Sequence, residues 1–304
     1  MGSKIRREVN AARSLARPAK LQRTIERLES DLATLEAVAR AASDAFTALQ
    51  TVVHANHVWS AVARGTEWAA AAPLAHHPLI SVILPTRDRA HLVRNAIASI
   101  EAQSYPNWEL VVVNDGSTDD TSEVLAAVTD DARIRVIETS GIGGAGARNA
   151  GIDVANGDFI AFLDDDNTMT PHWLRAIAEY TGRDPACQAL YGAQLRVPIR
   201  AGMHSPIDLL FVPEFDEKSF LQNNFVDLGV LAVRADHPQL RFDTELRELR
   251  ALDDWELAVR IAKVTPLVPV PALASCYNTS AQDRITDRYG GDDAVEAMRK
   301  RFQR

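Results

Sequence analysis

The sequence predicts an α/β protein, a mostly parallel sheet with helices on both faces, preceded by an α-helical N-terminal segment. Three observations predict it. From Leu79 onward, short apolar runs alternate with segments of helical spacing, the pattern of strands joined by crossover helices. Ahead of residue 78, apolar residues recur instead at alternating steps of four and three, which is a helical period. Polar residues then gather at the ends of three predicted strands, where ligands of parallel sheets collect. At 304 residues, 46% hydrophobic and 24% charged, the chain is long enough to bury a sizeable core.

Residues 1–77 start basic. Lys4, Arg6, Arg7, Arg13, Arg17, Lys20, Arg23 and Arg27 stand against Glu8 and Glu26. Leu21, Ile25, Leu28, Leu32, Leu35, Ala39, Ala42, Phe46, Leu49 and Val53 follow as a heptad seam without internal Gly or Pro. The seam predicts a coiled coil, and with it a homo-oligomer; an antiparallel hairpin or a helix docked on the main domain satisfies it too. A membrane-surface helix is a third reading, supported by the basic start alone. Ala70 to Pro73 and His76-His77-Pro78 read as a linker, giving a helical segment at 1–77 and a main domain at 78–304.

In the main domain, Ile80-Ser81-Val82-Ile83-Leu84 predicts a strand stopped by Pro85. Arg89 to Ala102 has helical spacing, with Leu92, Ile97 and Ile100 on its apolar side. Trp108 to Val113 is a second strand, followed by a turn and a helix over Thr121 to Val128. A third strand (Ile134 to Ile137), a third helix (Ala145 to Val154) and a fourth strand (Phe159 to Leu163) complete the alternation. A helix begins near Pro171, with Thr170 suited to its cap. Tyr191 to Gln194 predicts a strand, Asn223 to Asp227 precedes another, and Trp255 to Ala262 is helical.

Composition narrows the function. A net charge of −8 argues against a nucleic-acid partner, and two cysteines, Cys187 and Cys276, exclude a disulfide scaffold or a CxxC zinc ribbon. No apolar run approaches the roughly 18 residues of a membrane span, and no apolar stretch of a secretory signal follows the basic start. The expectation is a cytoplasmic protein, with peripheral contact at the inner face of the membrane as an open variant.

Three motifs carry chemistry. Gly141-Ile142-Gly143-Gly144-Ala145-Gly146 satisfies GxGxxG but follows the third strand rather than the first. It reads as a dinucleotide fingerprint, as a flexible turn, or as a helix start whose amides face a phosphate. Asp164-Asp165-Asp166 leaves an apolar strand as three adjacent carboxylates. Like charges there repel unless compensated, which suits Mg²⁺ or Mn²⁺ shared with diphosphate oxygens; a polar turn before the next helix is the plainer reading. Asp253 and Asp254 open the Trp255 helix, as a general base with a like-charged neighbour or as helix-start acids.

Ser81 to Arg89, Glu109 to Ser117, Ala147 to Gly151, Phe162 to Asp166 and Leu252 to Leu257 with Arg260, taken in order, resemble the family 2 glycosyltransferases of the GT-A fold. The resemblance covers roughly residues 79–278. It implies a nucleotide-sugar half at 79–170, an acceptor half at 171–304, and metal-dependent, inverting transfer from a nucleoside-diphosphate sugar to an acceptor hydroxyl. The acceptor class stays open among glycan, lipid-linked glycan, protein and small molecule. Pro85, Thr86 and Arg87 would hold the base, with Asp88 nearby, and Asp115 would accept the imide N–H of uracil or thymine, as an ionised carboxylate can. Arg148 would offer its donor fork to base or diphosphate, or form a structural salt bridge. The metal-binding pair maps onto Asp164 and Asp166, with Asp165 an alternative register and a ribose or metal-water role for the earlier acids. Asp254 would be the base, with Asp253, Trp255 and Asn224 toward the acceptor.

The chain departs from that pattern after the last strand, where relatives carry a metal-binding His and this sequence has Ser275-Cys276-Tyr277-Asn278. Asn278, His172, His204 and His237 are candidate substitutes. The loop from Pro198 to Pro213 has the composition of a lid, and 282–291 reads as a charged loop. A catalytically inactive nucleotide-sugar binder or scaffold remains a second reading. A sugar-1-phosphate nucleotidyltransferase is disfavoured because no glycine-rich basic loop follows the first strand.

Overall fold

The chain divides into two compact units, Met1–His57 and Val58–Arg304. The computed structural model describes residues 55–197, 208–246, 252–279 and 292–302, with eight single residues between 25 and 40, all helical. Most of the heptad seam, the lid-like residues 198–207 with His204, and residues 280–291 lie outside the described residues. Among the described residues no helix is long and apolar enough to cross a membrane.

In the larger unit, helix α1 (residues 58–71) buries Val62 and Ala69 in the same core as the sheet. Arg175 donates to the Ala69 carbonyl (2.8 Å) and to that of Ala72, while the Leu273 amide donates to Thr66 (2.9 Å). The larger compact unit thus includes α1, which the sequence reading assigns to the helical segment 1–77. Periodicity identifies a helix but not what its apolar side meets, so the Pro-containing stretch after it reads as a linker.

The strands are β1 (Ile80–Thr86), β2 (Trp108–Asp115), β3 (Ile134–Thr139), β4 (Phe159–Phe162), β5 (Thr168–Met169), β6 (Ala189–Val197), β7 (Asp208–Leu210), β8 (Leu231–Arg234) and β9 (Val268–Asn278). The helices are α2 (Ala90–Glu101), α3 (Thr121–Ala126), α4 (Gly144–Val154), α5 (Trp173–Arg183), α6 (Glu217–Gln222), α7 (Asp253–Ala262) and α8 (Asp292–Phe302). One sheet joins the described strands in the order β3-β2-β1-β4-β8-β6-β9-β5, with β7 beside β6. The stretch β3-β2-β1-β4 is parallel. Beyond it β8 pairs antiparallel with both β4 and β6, and β9 runs parallel to β6.

This topology sets the site. The strand order reverses between β1 and β4, and the crevice outside the carboxyl ends at such a switch point is where α/β sheets bind ligands. Residues 80–83 of β1 pair on both sides, which explains the complete burial of Ile80, Val82 and Ile83. Pro85 extends the strand because it lies past the last residue paired with β4, where β1 has one neighbour. Helix α4 lies close on β1 and β2: a Cβ on Gly151 would stand 2.6 Å from Ile83 Cγ2 and 3.1 Å from Val113 Cγ2. Strand β5, with two residues, and helix α8 were not anticipated by the apolar pattern.

Candidate active site

A cavity of about 560 Å³ opens over the ends of β1, β2 and β4, and the N-termini of α4 and α7 reach its wall. Pro85, Thr86, Arg87, Asp115, Arg148, Asp164, Asp165, Asp166, Asp253 and Asp254 all line it. Asp253 and Asp254 thus meet the strand-end acids across some ninety residues of sequence. The lining holds eight aspartates against three arginines, so the cavity is strongly acidic.

Each strand-end acid has a specific partner. Asp165 accepts from the Thr86 hydroxyl (2.7 Å) and from Arg89 (2.8 Å), and Arg89 also donates to Asp166 (3.1 Å). Burial raises the Asp165 carboxyl to about 6 against the pull of Arg89. Arg148 donates to Asp164 (2.7 Å) and Asp253 (3.2 Å), tying the end of β4 to the start of α7. Burial opposes its charge, but Asp164 and Asp253 outweigh that and keep it firmly protonated. Its guanidinium lies 5.4 Å from the centre of the Phe242 ring. Asn149 fixes Phe242 by donating to its carbonyl (2.8 Å) and accepting from its amide (2.9 Å). The salt-bridge reading of Arg148 is the one this arrangement favours, and Asn149 anchors a loop of the wall.

The glycine-rich loop serves Asp115. Burial raises that carboxyl, but the Thr139 hydroxyl (2.6 Å) and the Ile142 (2.7 Å) and Gly143 (2.8 Å) amides together hold it below its ordinary value. Gly141 and Gly143 adopt φ of 78° and 85°, a region glycine enters without strain. Two of the loop's amides therefore bind a carboxylate, while Gly144, Ala145 and Gly146 at the start of α4 line the cavity.

Asp254 accepts from the Trp255 amide (2.7 Å) and Asp253 from the Asp254 amide (3.1 Å), so both acids also serve the helix start. Burial, then the neighbouring charges of Asp253 and Asp227, push the Asp254 carboxyl well above its ordinary value. Burial likewise raises Asp253, with Arg148 opposing.

Other expected residues stand apart. Asp88, with φ of 53°, accepts from the Thr118 amide (2.6 Å) and hydroxyl (3.1 Å), joining the β1 and β2 loops outside the lining. Asn224 accepts from the Val226 amide (3.1 Å) in a local turn and does not line the cavity. Trp255 is buried against Phe220, donating to its carbonyl (2.9 Å), because its indole is the larger apolar surface at the start of α7. Asn278, His172 and His237 also lie off the lining; the Asn278 amide donates to Asn167, and His172 meets Ser104. Conversely Arg89, Asp227, Asp243 and Tyr277 line the cavity without having been assigned a role. Arg89 stood inside the first motif, and Asp227 three residues beyond Asn224.

Among the described residues no group of three or more His, Cys, Asp or Glu is set to hold a metal ion. Asp164 and Asp166 nevertheless face one acidic cavity. A hard divalent ion commonly takes one or two carboxylates and completes its shell with water and phosphate oxygens, so this donor set fits Mg²⁺ or Mn²⁺ shared with a diphosphate.

Comparison with known proteins agrees with the geometry. The description Glycosyl transferase family 2 matches residues 81–237. A putative colanic acid biosynthesis glycosyl transferase, WcaA, of Escherichia coli is 30% identical over 190 residues, covering 61% of this chain and 67% of that protein. The chain spans only 13–15% of the length of three rickettsial uncharacterized glycosyltransferases that it also matches. Two solved structures share the fold. S. aureus TarS 1-349 in complex with UDP-GlcNAc has a TM-score of 0.56 at 19% identity, over 68% of this chain and 60% of that one. The mannosyltransferase PcManGT of Pyrobaculum calidifontis, in complex with GDP-Man and Mn²⁺, has 0.53 at 19%, over 85% and 75%. By the match over 81–237 and the likeness to WcaA, the chain belongs to glycosyl transferase family 2.

Proposed function

We propose that the protein is a metal-dependent, inverting glycosyltransferase that moves a sugar from a UDP- or dTDP-sugar to an acceptor hydroxyl. The observation that carries this reading is the meeting of Asp164, Asp165 and Asp166 with Asp253 and Asp254 in one cavity at the switch point of the sheet. One set lies where a leaving diphosphate would be held, and the other where an acceptor would be deprotonated.

Pro85, Thr86 and Arg87 line the cavity with Asp115 and would hold the nucleoside there. Asp115 Oδ1 already accepts two hydrogen bonds and Oδ2 one. The Gly141 amide acts on it as well; as an ionised carboxylate it would accept the imide N–H of uracil or thymine by sharing an oxygen with these loop donors. Asp164 and Asp166 would hold the divalent ion, whose charge neutralises the departing diphosphate. Arg89 and Arg148 orient these acids from behind. Asp254 takes the acceptor proton as the acceptor oxygen bonds to the anomeric carbon and the bond from that carbon to the diphosphate breaks. A base held above the ordinary carboxylate range is better matched to that task near neutral pH. The N-terminal helical segment would serve oligomerisation or docking near the acceptor, a reading supported by its heptad seam and testable by light scattering with and without residues 1–57.

Calorimetric titration with UDP, dTDP and GDP, each with Mn²⁺ and with EDTA, tests the donor site. Metal-dependent binding of UDP or dTDP, lost in Asp166→Ala, is expected. Absence of binding by any diphosphate with metal present would overturn the assignment.

A further inference from the structure

Asp227, like Asp243, is a cavity carboxylate that the reading above leaves without a task. It lies just before β8, accepting from the Gly229 amide through Oδ1 (2.8 Å). Strand β8 runs antiparallel to β4, with Ala232 opposite Ala161 and Val233 opposite Ile160. Between Asp227 and β8 a single 3-10 turn, Leu228–Val230, packs on β4, and Asp227 lines the cavity with Asp164 to Asp166. Asp227, Asp164 and Asp254 line one cavity, near enough that the charge of Asp164 acts on Asp227 and that of Asp227 on Asp254.

Behind Asp227 the wall is polar and incompletely satisfied. Gln194 on β6 and Ser275 on β9 stand opposite each other in the sheet, each 1% exposed. The Gln194 side chain acts on Asp227 as a donor, and among the described residues the Ser275 hydroxyl has no partner. Asp227 Oδ1 and Ser275 Oγ lie 3.2 and 3.4 Å from where a Cβ on Gly229 would stand, so glycine leaves both groups room at one spot. Buried polar groups without partners are uncommon and costly; a ligand hydroxyl, or a water it displaces, relieves that cost.

In an in-line displacement the transferred ring sits between the leaving diphosphate and the attacking hydroxyl. Asp164 marks the first position under the proposed function and Asp254 the second, and Asp227 is coupled to both. We propose that Asp227, backed by Gln194 and Ser275, recognises a hydroxyl of the transferred sugar ring and so sets donor-sugar specificity. An ionised carboxylate accepts only, which selects rings presenting hydroxyl donors and disfavours a uronosyl ring whose own carboxylate would approach it. This inference rests on the donor-site reading and adds the sugar to it.

The test compares UDP with UDP-glucose, UDP-galactose and UDP-N-acetylglucosamine, by calorimetry with Mn²⁺, on the full chain. The readout is the ratio of the UDP dissociation constant to that of the tightest sugar nucleotide. Asp227→Asn keeps an oxygen for the Gly229 amide and places an N–H₂ where a hydroxyl would donate. It is expected to leave UDP affinity within about twofold while cutting the ratio by about tenfold or more, the usual scale for a hydrogen bond to a charged group. Ser275→Ala, a smaller perturbation, is expected to cut it less. A fall in UDP affinity alone would mark a merely structural role and overturn the proposal. So would a ratio that survives both substitutions, or a wild-type ratio near one for all three sugars. If the wild type binds dTDP rather than UDP, the same ratio is read on the dTDP-sugars; failure to bind any nucleoside diphosphate would instead remove the donor-site reading, and this inference with it.

Discussion

Arg148 shows how one side chain joins two ends of the molecule. Its side chain is 13% exposed and shared between Asp164 and Asp253. Removing one partner of a buried ion pair strands the others, at a typical cost of about 3–5 kcal/mol. Arg148→Met is therefore expected to lower the free energy of unfolding, measured by urea denaturation, by an amount in that range, whereas a lost surface contact would change it little. Asp254→Asn is expected to reduce transfer by about 10²–10⁴-fold, the span of general-base catalysis, with nucleotide affinity retained; equal loss of both would point to a collapsed site. Asp227 supplies the pH dependence. Burial and Asp164 raise its folded carboxyl to about 6, above the unfolded value of roughly 3.9. Its charge therefore costs nothing below pH 4, and the cost grows as pH rises through 6. Asp227→Asn should raise the melting temperature at pH 7.5 and leave it nearly unchanged at pH 4. At this scale the acids at strand ends were legible because carboxylates leaving an apolar strand need a reason. Asp227 was not, because its place beside Asp164 is set by antiparallel pairing that no local spacing records.

The elements that carry the site are positioned by backbone fit. Helix α4 approaches β1 and β2 closely enough that Gly151 has no room for a methyl group. At Gly143, by contrast, the space is open and only φ of 85° resists a side chain. Gly151→Ala is expected to cost about 1–3 kcal/mol through overpacking, and Gly143→Ala about 1–2 kcal/mol through left-handed strain. Equilibrium denaturation checks both, and only Gly143→Ala should also release Asp115 by disturbing the amides it accepts from. Helix α7 begins at Asp253 rather than at the expected Trp255, so its acids sit in the first turn. Its internal anchor is Glu256, 1% exposed, which meets Arg260 (2.9 Å) and, from α8, Arg301 (3.0 Å). The Glu256 and Arg260 pair has the four-residue spacing that sequence reveals. The Arg301 contact comes from the far end of the chain and had no local signal.

For the molecule as a whole, the boundary is the sharpest test. A chain starting at residue 58 keeps α1, the Arg175 bonds and the burial of Val62 and Ala69. One starting at residue 78 loses them, and should be less stable by about 2 kcal/mol or more from the apolar surface alone; equal urea midpoints would show that α1 adds nothing. The alternation of strands and helices, the family, and the polar ends of β1, β2 and β4 could all be read from the residues in order. Those follow from local periodicity and from charges placed where a buried strand ends. Folding in three dimensions was needed to bring Asp253 and Asp254 into a cavity with Asp164, to set the glycine-rich loop on Asp115, and to turn Trp255 and Asn224 away from the lining. It also decided that α1 belongs to the main unit. Each of these depends on strand order and on which face of an element meets which neighbour, and long-range pairing is chosen by the packing of the whole sheet rather than by any one segment.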